Sequence, residues 1–129
     1  MAITTTAMTL GPDKGDDEWG VIFYSADASD GEDIKAAPGT GLYNYIDEFY
    51  MISNGDATVD IGSGQGTGVT TKLFTAIGMV DGSEFGPIPL RGQRLVTAQA
   101  LSIDSSAGVG INGYAIGRTG PARTATKDL

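Results

Sequence analysis

Short segments in which hydrophobic and polar residues alternate recur along the chain, with turn-forming residues between them. A period of two together with many Val, Ile, Thr and Tyr residues is typical of β-strands. The pattern predicts strands at residues 19–25, 42–53, 57–61, 73–80, 95–103 and 109–116. No segment has the apolar period of a convincing helix. About six to eight strands, with turns about every 8 to 12 residues, predict an all-β chain forming a single β-sandwich or jelly-roll domain.

The same pattern predicts where this domain begins and ends. Residues 1–18 combine a threonine-rich start with a turn-rich loop, and we predict an extended N-terminal arm there. Residues 19–117 form the predicted β-sandwich. Residues 118–129 lack apolar periodicity and form the predicted C-terminal tail.

Local features predict how individual segments are used. Residues 19–25 carry large apolar groups at both alternating positions, which predicts a strand covered on both faces. Residues 27–41 are polar and predict a long loop, and the glycine-rich residues 62–68 predict a mobile or tightly turned one. The turn residues 53–56 predict a hairpin between two strands. Two prolines within residues 85–90 predict a segment at a sheet edge or crossing between sheets.

Composition narrows the chemistry. The chain has 129 residues, enough for one domain, and its 20 glycines accompany 40% hydrophobic residues, so it is not a disordered composition. It contains no Cys and no His, which excludes disulfides, thiolate metal sites and a Ser-His-Asp arrangement. Carboxylates, Lys, Tyr and hydroxyl groups remain as candidate catalytic groups. Because no motif in the sequence arranges them as an active site, we predict that the chain is not an enzyme and has no cofactor and no metal.

Charge is distributed unevenly along the chain. The net charge is −8, and residues 1–60 hold 12 of the 16 acidic residues but only Lys14 and Lys35 as cations. This asymmetry fits solvated loops, or complementary faces in an oligomer or docking surface. The acidic balance argues against a nucleic-acid partner, and no apolar run approaches the roughly 18 residues of a membrane span.

Acidic clusters are the first candidates for a specific site. Residues 13–18 and 27–33 could supply oxygen ligands to calcium, but neither has EF-hand spacing, and solvated loops are the simpler interpretation. Asp47 and Glu48 are adjacent in a predicted strand and point to opposite faces, so they cannot act together as a glycosidase pair. A carbohydrate platform of Tyr43, Tyr45 and Tyr50 is a further alternative that the pattern does not place on one face.

Three segments carry a resemblance to a known family. Residues 45–59 (YIDEFYMISNGDATV), residues 85–92 with their Pro-Ile-Pro-Leu, and residues 109–114 (VGINGY) resemble small jelly-roll structural proteins of tailed bacteriophages, most of all head decoration (cement) proteins. The similarity covers about residues 42–117 and consists of hydrophobic and turn patterning. It implies a β-sandwich that assembles, often as a trimer, on the outside of an icosahedral capsid and clamps neighbouring major capsid subunits. The family has no catalytic residues.

This resemblance completes the expected function. The partners that it implies are the major capsid protein and further copies of the chain, and the expected location is the capsid surface of the virion, after synthesis in the host cytoplasm. The alternative is a carbohydrate- or receptor-binding β-sandwich of a phage tail or fibre. The predicted interface residues lie in the arm, at the domain start and in the basic tail: Thr4, Thr5, Thr6, Trp19, Arg118, Arg123 and Lys127.

Overall fold

The computed structural model describes residues 3–10, 17–27, 29, 31–65 and 68–122. Within these residues the chain forms strands and no helix. The strands, in chain order, are β1 (Thr4–Ala7), β2 (Glu18–Ser25), β3 (Glu32–Lys35), β4 (Tyr43–Ser53), β5 (Ala57–Gly64), β6 (Val69–Met79), β7 (Glu84–Arg94), β8 (Ala100–Ser105) and β9 (Ile111–Gly120). Because the described part contains no helix, no helix there could span a membrane.

The strands form two antiparallel sheets packed face to face, so the predicted β-sandwich is confirmed. One sheet has the order β1-β2-β9-β4-β7 and the other the order β3-β8-β5-β6. Strands β2 to β9 pair as β2 with β9, β3 with β8, β4 with β7 and β5 with β6. This is one long hairpin rolled over itself, the arrangement of an eight-stranded jelly roll. Strand β1 adds a short edge beside β2.

The core lies between the two sheets. Its largest fully buried side chains include Phe23, Phe49, Ile61 and Leu101, which come from four different strands. The Phe23 and Phe49 rings stack with their centroids 6.0 Å apart. Alternate positions of each strand supply this inner layer, as the period-two pattern requires.

Two predicted connections are wrong. The turn at residues 53–56 does not close a hairpin, because β4 and β5 belong to different sheets and the turn carries the chain from one sheet to the other. The polar segment 27–41 is not one long loop, because it contains β3, which pairs with β8. Four residues of mixed polarity are too few to show a strand-like alternation in the sequence. The strand β3 is stabilised by its pairing with β8.

The predicted loop at residues 62–68 is wrong in its first part, which belongs to a strand. Gly62 and Gly64 lie within β5 rather than in a loop. A Cβ atom on Gly62 would lie 2.1 Å from the Thr71 carbonyl oxygen of β6, so glycine here permits a close approach of two strands. By contrast, the proline-containing segment is β7, an edge strand of the five-stranded sheet, as predicted.

The roll also separates residues that are neighbours in sequence. Strands β2 and β4 come from the acidic first half of the chain, and β7 and β9 from the weakly basic second half. In the five-stranded sheet these strands alternate, with β9 between β2 and β4 and β4 between β9 and β7. The charge asymmetry of the sequence therefore does not become two separate faces of the sandwich.

Candidate interaction face

The most distinctive surface is the side of the five-stranded sheet that faces away from the four-stranded sheet. It is called the outer face below. Register places its central residues in neighbouring strands, where each is at least partly exposed. These residues are Ile22, Tyr24, Tyr50, Ile52, Tyr114 and Ile116.

The strand β2 residues of this face are the most exposed. Ile22 is 50% exposed and Tyr24 is 47% exposed, whereas the alternating residues Val21 and Phe23 are buried in the core. The expectation that β2 is covered on both faces is therefore wrong for a single chain. The sandwich has two layers, so each sheet has only one covered face.

Two tyrosines form the centre of the outer face. Tyr50 of β4 and Tyr114 of β9 are register partners, and their rings stack with centroids 5.5 Å apart. The Tyr114 hydroxyl donates a hydrogen bond to Glu48 Oε2. This hydrogen bond is the main cause that raises the pKa of Tyr114 to about 12. Tyr114 is therefore neutral at physiological pH.

A second carboxylate lies at one end of the face. Glu84 of β7 is the register partner of Ile52. Ile52 is the next residue after Tyr50 on the outward side of β4. Partial burial of the phenol and then the Glu84 charge raise the pKa of Tyr50 above its ordinary value. The face thus combines neutral aromatic rings with carboxylates held beside their hydroxyl groups, which gives it hydrophobic area together with polar specificity.

Residues on the β1 side extend the apolar area. Gly20 has no side chain, and a Cβ atom there would lie 3.0 Å from both Met8 Cβ and Leu10 Cδ2. Gly20 therefore gives these two side chains room to pack against the sheet. Thr4 and Thr6 are exposed and lie opposite Tyr24 and Ile22.

The predicted arm residues thus belong to a strand of the sheet. Thr4 and Thr6 lie beside the outer face, and Thr5 alternates with them along β1 and lines a groove with Trp19. The predicted tail begins inside β9, which continues to Gly120. Arg123 and Lys127 lie outside the described residues.

The Trp19 side chain lies between β2 of the five-stranded sheet and β3 of the four-stranded sheet. It separates two grooves, one of about 450 Å³ that includes Asn44 and Thr119, and one of about 310 Å³ that includes Thr5. Its indole Nε1 donates to Thr119 Oγ1 at 3.1 Å, and that hydroxyl donates to Asn44 Oδ1 at 2.7 Å. Lys35 Nζ lies 5.2 Å from the ring centroid. These contacts give Trp19 a structural role, because they connect it to strands of both sheets.

Arg118 lies at the end of the outer face opposite to Glu84. Its Nη2 is 3.6 Å from Asp47 Oδ2, a long ion pair, and its Nε is buried without a hydrogen-bond partner in the described part of the chain. Asp47 occupies a β-bulge, where register shifts between Ile46 and Glu48. The bulge breaks the simple alternation that the sequence predicts, because Ile46 is buried while Glu48 lies on the outer face.

Three acidic side chains of the segment 27–33 form hydrogen bonds within the fold. Asp27 accepts hydrogen bonds from the backbone and side chain of Ser29, which lower the pKa of its carboxyl. Glu32 is buried and accepts a hydrogen bond from Ser25 Oγ at 2.9 Å. Asp33 accepts one from a serine of β8. Across the residues with described positions, no group of three or more acidic side chains is arranged to hold a metal ion.

The sequence pattern does not predict that the residues of the outer face form one surface. A signal is present in the sequence, because β2 and β4 carry large apolar or aromatic residues at their outward as well as their inward positions, and β9 carries Tyr114 and Ile116 at outward ones. For β2 this pattern predicts burial of both faces, whereas the structure leaves one of them exposed. Comparisons with known proteins add no further assignment: no protein-family model, curated protein or solved structure matches this chain.

Proposed function

We propose that this chain is a non-enzymatic structural protein that binds the outer surface of an icosahedral phage capsid and stabilises it by bridging major capsid subunits. The observation that carries the proposal is the partly exposed apolar and aromatic outer face. Contiguous apolar patches of this kind mark contact with other macromolecules. The resemblance of residues 42–117 to head decoration proteins supports a capsid as the setting.

The polar groups of the face support the non-enzymatic part of this proposal. Glu48 is held by the Tyr114 hydroxyl, and Asp47 lies beside Arg118. Each of these two carboxylates therefore already has a hydrogen-bond or ion-pair partner within the sheet. Stabilisation of a capsid requires only selective binding to the assembled lattice. A ligand present at 100 times its Kd then contributes about 2.7 kcal/mol per site.

The test uses capsids of the phage that encodes this chain, prepared without the chain. Purified protein is added on the order of 10 μM, and the capsids are sedimented and then heated in a calorimeter. We expect saturable co-sedimentation at a fixed ratio to the major capsid protein and a higher capsid unfolding temperature. Absence of binding at that concentration would overturn the proposal.

A truncated chain tests the predicted tail separately. Removing residues 123–129 deletes Arg123 and Lys127 but leaves the nine described strands in place. We expect weaker capsid binding with an unchanged β circular-dichroism spectrum. Full-strength capsid binding by the truncated chain would show that the tail residues are not part of the interface.

A carbohydrate-binding function is the second candidate. Tyr24, Tyr50 and Tyr114 lie on the same face, with Glu48 and Asn112 among them, and aromatic rings with nearby hydrogen-bonding groups can bind sugars. This candidate predicts glycan-array binding that Tyr24→Ala removes. The capsid proposal predicts no glycan binding and many copies of the chain on each particle.

A further inference from the structure

We infer that the outer face pairs two copies of this chain about a twofold axis that lies in the interface plane and runs across the strands. This inference goes beyond the proposed function, because pairing requires no capsid. It commits the face of the free chain to a second copy as its occupant, and a capsid surface that binds the same face would displace that copy. In this arrangement each strand of one sheet lies over the same strand of its partner, in the opposite direction.

The size of the face suits such a pairing. Five strands about 4.8 Å apart, with about eight residues each at 3.4 Å per residue, cover roughly 24 Å by 27 Å, or about 650 Å². This is about a tenth of the accessible surface of 6371 Å². A standard stable interface buries about 800 Å² per partner. The sheet alone therefore supplies most of the required area, and Met8 and Leu10 widen it on the β1 side.

The charges on the face are complementary under this symmetry. Strand β7 begins with Glu84 and ends with Arg94, and register places both on the outward side of the sheet. A copy running in the opposite direction brings Glu84 of one chain toward Arg94 of the other, and the symmetry makes this contact twice. Arg118 lies at the same end as Arg94, because both are register partners of Tyr45.

The centre of the face is suited to burial in such a dimer. Within one chain the Glu48 carboxylate already accepts a hydrogen bond from the Tyr114 hydroxyl. A copy placed over them therefore buries a hydrogen-bonded carboxylate instead of one without a partner. The stacked rings of Tyr50 and Tyr114 then form the rigid centre of an interface whose outer parts carry the charged ends.

Sedimentation velocity of the full chain, from about 1 to 200 μM, tests the inference. We expect a species of twice the 13.3 kDa chain mass to form as concentration rises. Ile22→Asp, at the centre of the face, should weaken dimerisation at least about tenfold. Val80→Asp is the matched control, because Val80 is 57% exposed and directly follows β6, a strand of the four-stranded sheet. It should leave dimerisation unchanged.

Charge reversal tests the symmetry itself. Glu84→Arg alone and Arg94→Glu alone each place like charges opposite each other and should weaken dimerisation, by about fivefold or more at low salt. The double variant restores opposite charges and should recover most of the affinity. Circular dichroism confirms that each variant is folded before it is compared.

Several outcomes would overturn the inference. These are a wild-type chain that stays monomeric throughout the concentration range, a trimer that Ile22→Asp does not affect, and a double charge variant no tighter than the single ones. If the chain binds glycans and does not self-associate, the face would be assigned to a sugar instead. Failure of capsid binding leaves these measurements unaffected, so the two proposals are tested separately.

Discussion

Gly113→Ala is expected to destabilise the five-stranded sheet severely. Gly113 lies in β9, between Phe23 of β2 and Met51 of β4. A Cβ atom at this position would lie 1.9 Å from the Tyr50 carbonyl oxygen and 2.7 Å from Met51 Cα. Both contacts are well inside van der Waals distance. Because both atoms belong to the main chain of a paired strand, no side-chain rotation can relieve the overlap.

The size of the effect follows from what must move. Strands β4 and β9 would have to separate locally by more than 1 Å, on the order of the overlap itself, and this weakens the neighbouring ladder hydrogen bonds. Overpacking typically costs about 1 to 3 kcal/mol, and each weakened hydrogen bond adds about 1 kcal/mol. We expect the free energy of unfolding to fall by about 3 to 4 kcal/mol. For a chain of this length that lowers Tm by roughly 11 to 15 °C.

Urea unfolding and thermal melts, both followed by circular dichroism, measure this change. Gly78→Ala is the matched control, because Gly78 also lies in a strand but has nothing within 4 Å of the added Cβ atom. It should stay within about 0.5 kcal/mol of the wild type, since exposed substitutions away from special contacts have small effects. An equally small effect of Gly113→Ala would refute the claim that the close approach of β4 and β9 requires glycine at position 113.

Three further predictions concern the core and two titrating groups. Phe49→Ala should cost about 3 to 5 kcal/mol in urea unfolding, because it empties a fully buried aromatic site; a loss below 1 kcal/mol would contradict this core. Glu48→Ala, which removes the acceptor of the Tyr114 hydroxyl, should lower the pKa of Tyr114, followed by tyrosinate absorbance; an unchanged titration would rule out the hydrogen bond as its cause. Because the folded pKa of Tyr114 is raised, its stabilising contribution is complete below its unfolded pKa of about 10 and is lost as pH rises toward 12. Asp60→Ala should cost about 1 to 2 kcal/mol at pH 7, since Asp60 binds Lys72 at 2.6 Å and also accepts a backbone hydrogen bond. The hydrogen bond from Lys72 is the largest cause that lowers the pKa of Asp60, so its contribution is present above its unfolded pKa of about 3.9 and disappears as pH falls through its folded pKa. A cost that persists in strong acid would contradict this assignment.

The residue pattern determined most of the longer strands and the sandwich class. Alternation is a local property, because successive side chains of a strand point to opposite faces whatever its partner is. Proline is equally local in its effect: Pro87 and Pro89 cannot donate to a ladder, and their strand is indeed at a sheet edge. The short strands β1 and β3 escaped prediction, since four residues carry little periodicity and neighbouring strands supply their stability.

Tertiary structure decided which strands meet and which face remains uncovered. The turn after Ser53 has local hairpin chemistry, yet the roll sends β4 and β5 into different sheets. Tyr50 and Tyr114 are stacked although 63 residues separate them in the chain, and the bulge at Asp47 changes which residues of β4 face outward. Alternation specifies two faces for every strand, but coverage of a face depends on distant segments. The outer face therefore became recognisable only once the two sheets were packed.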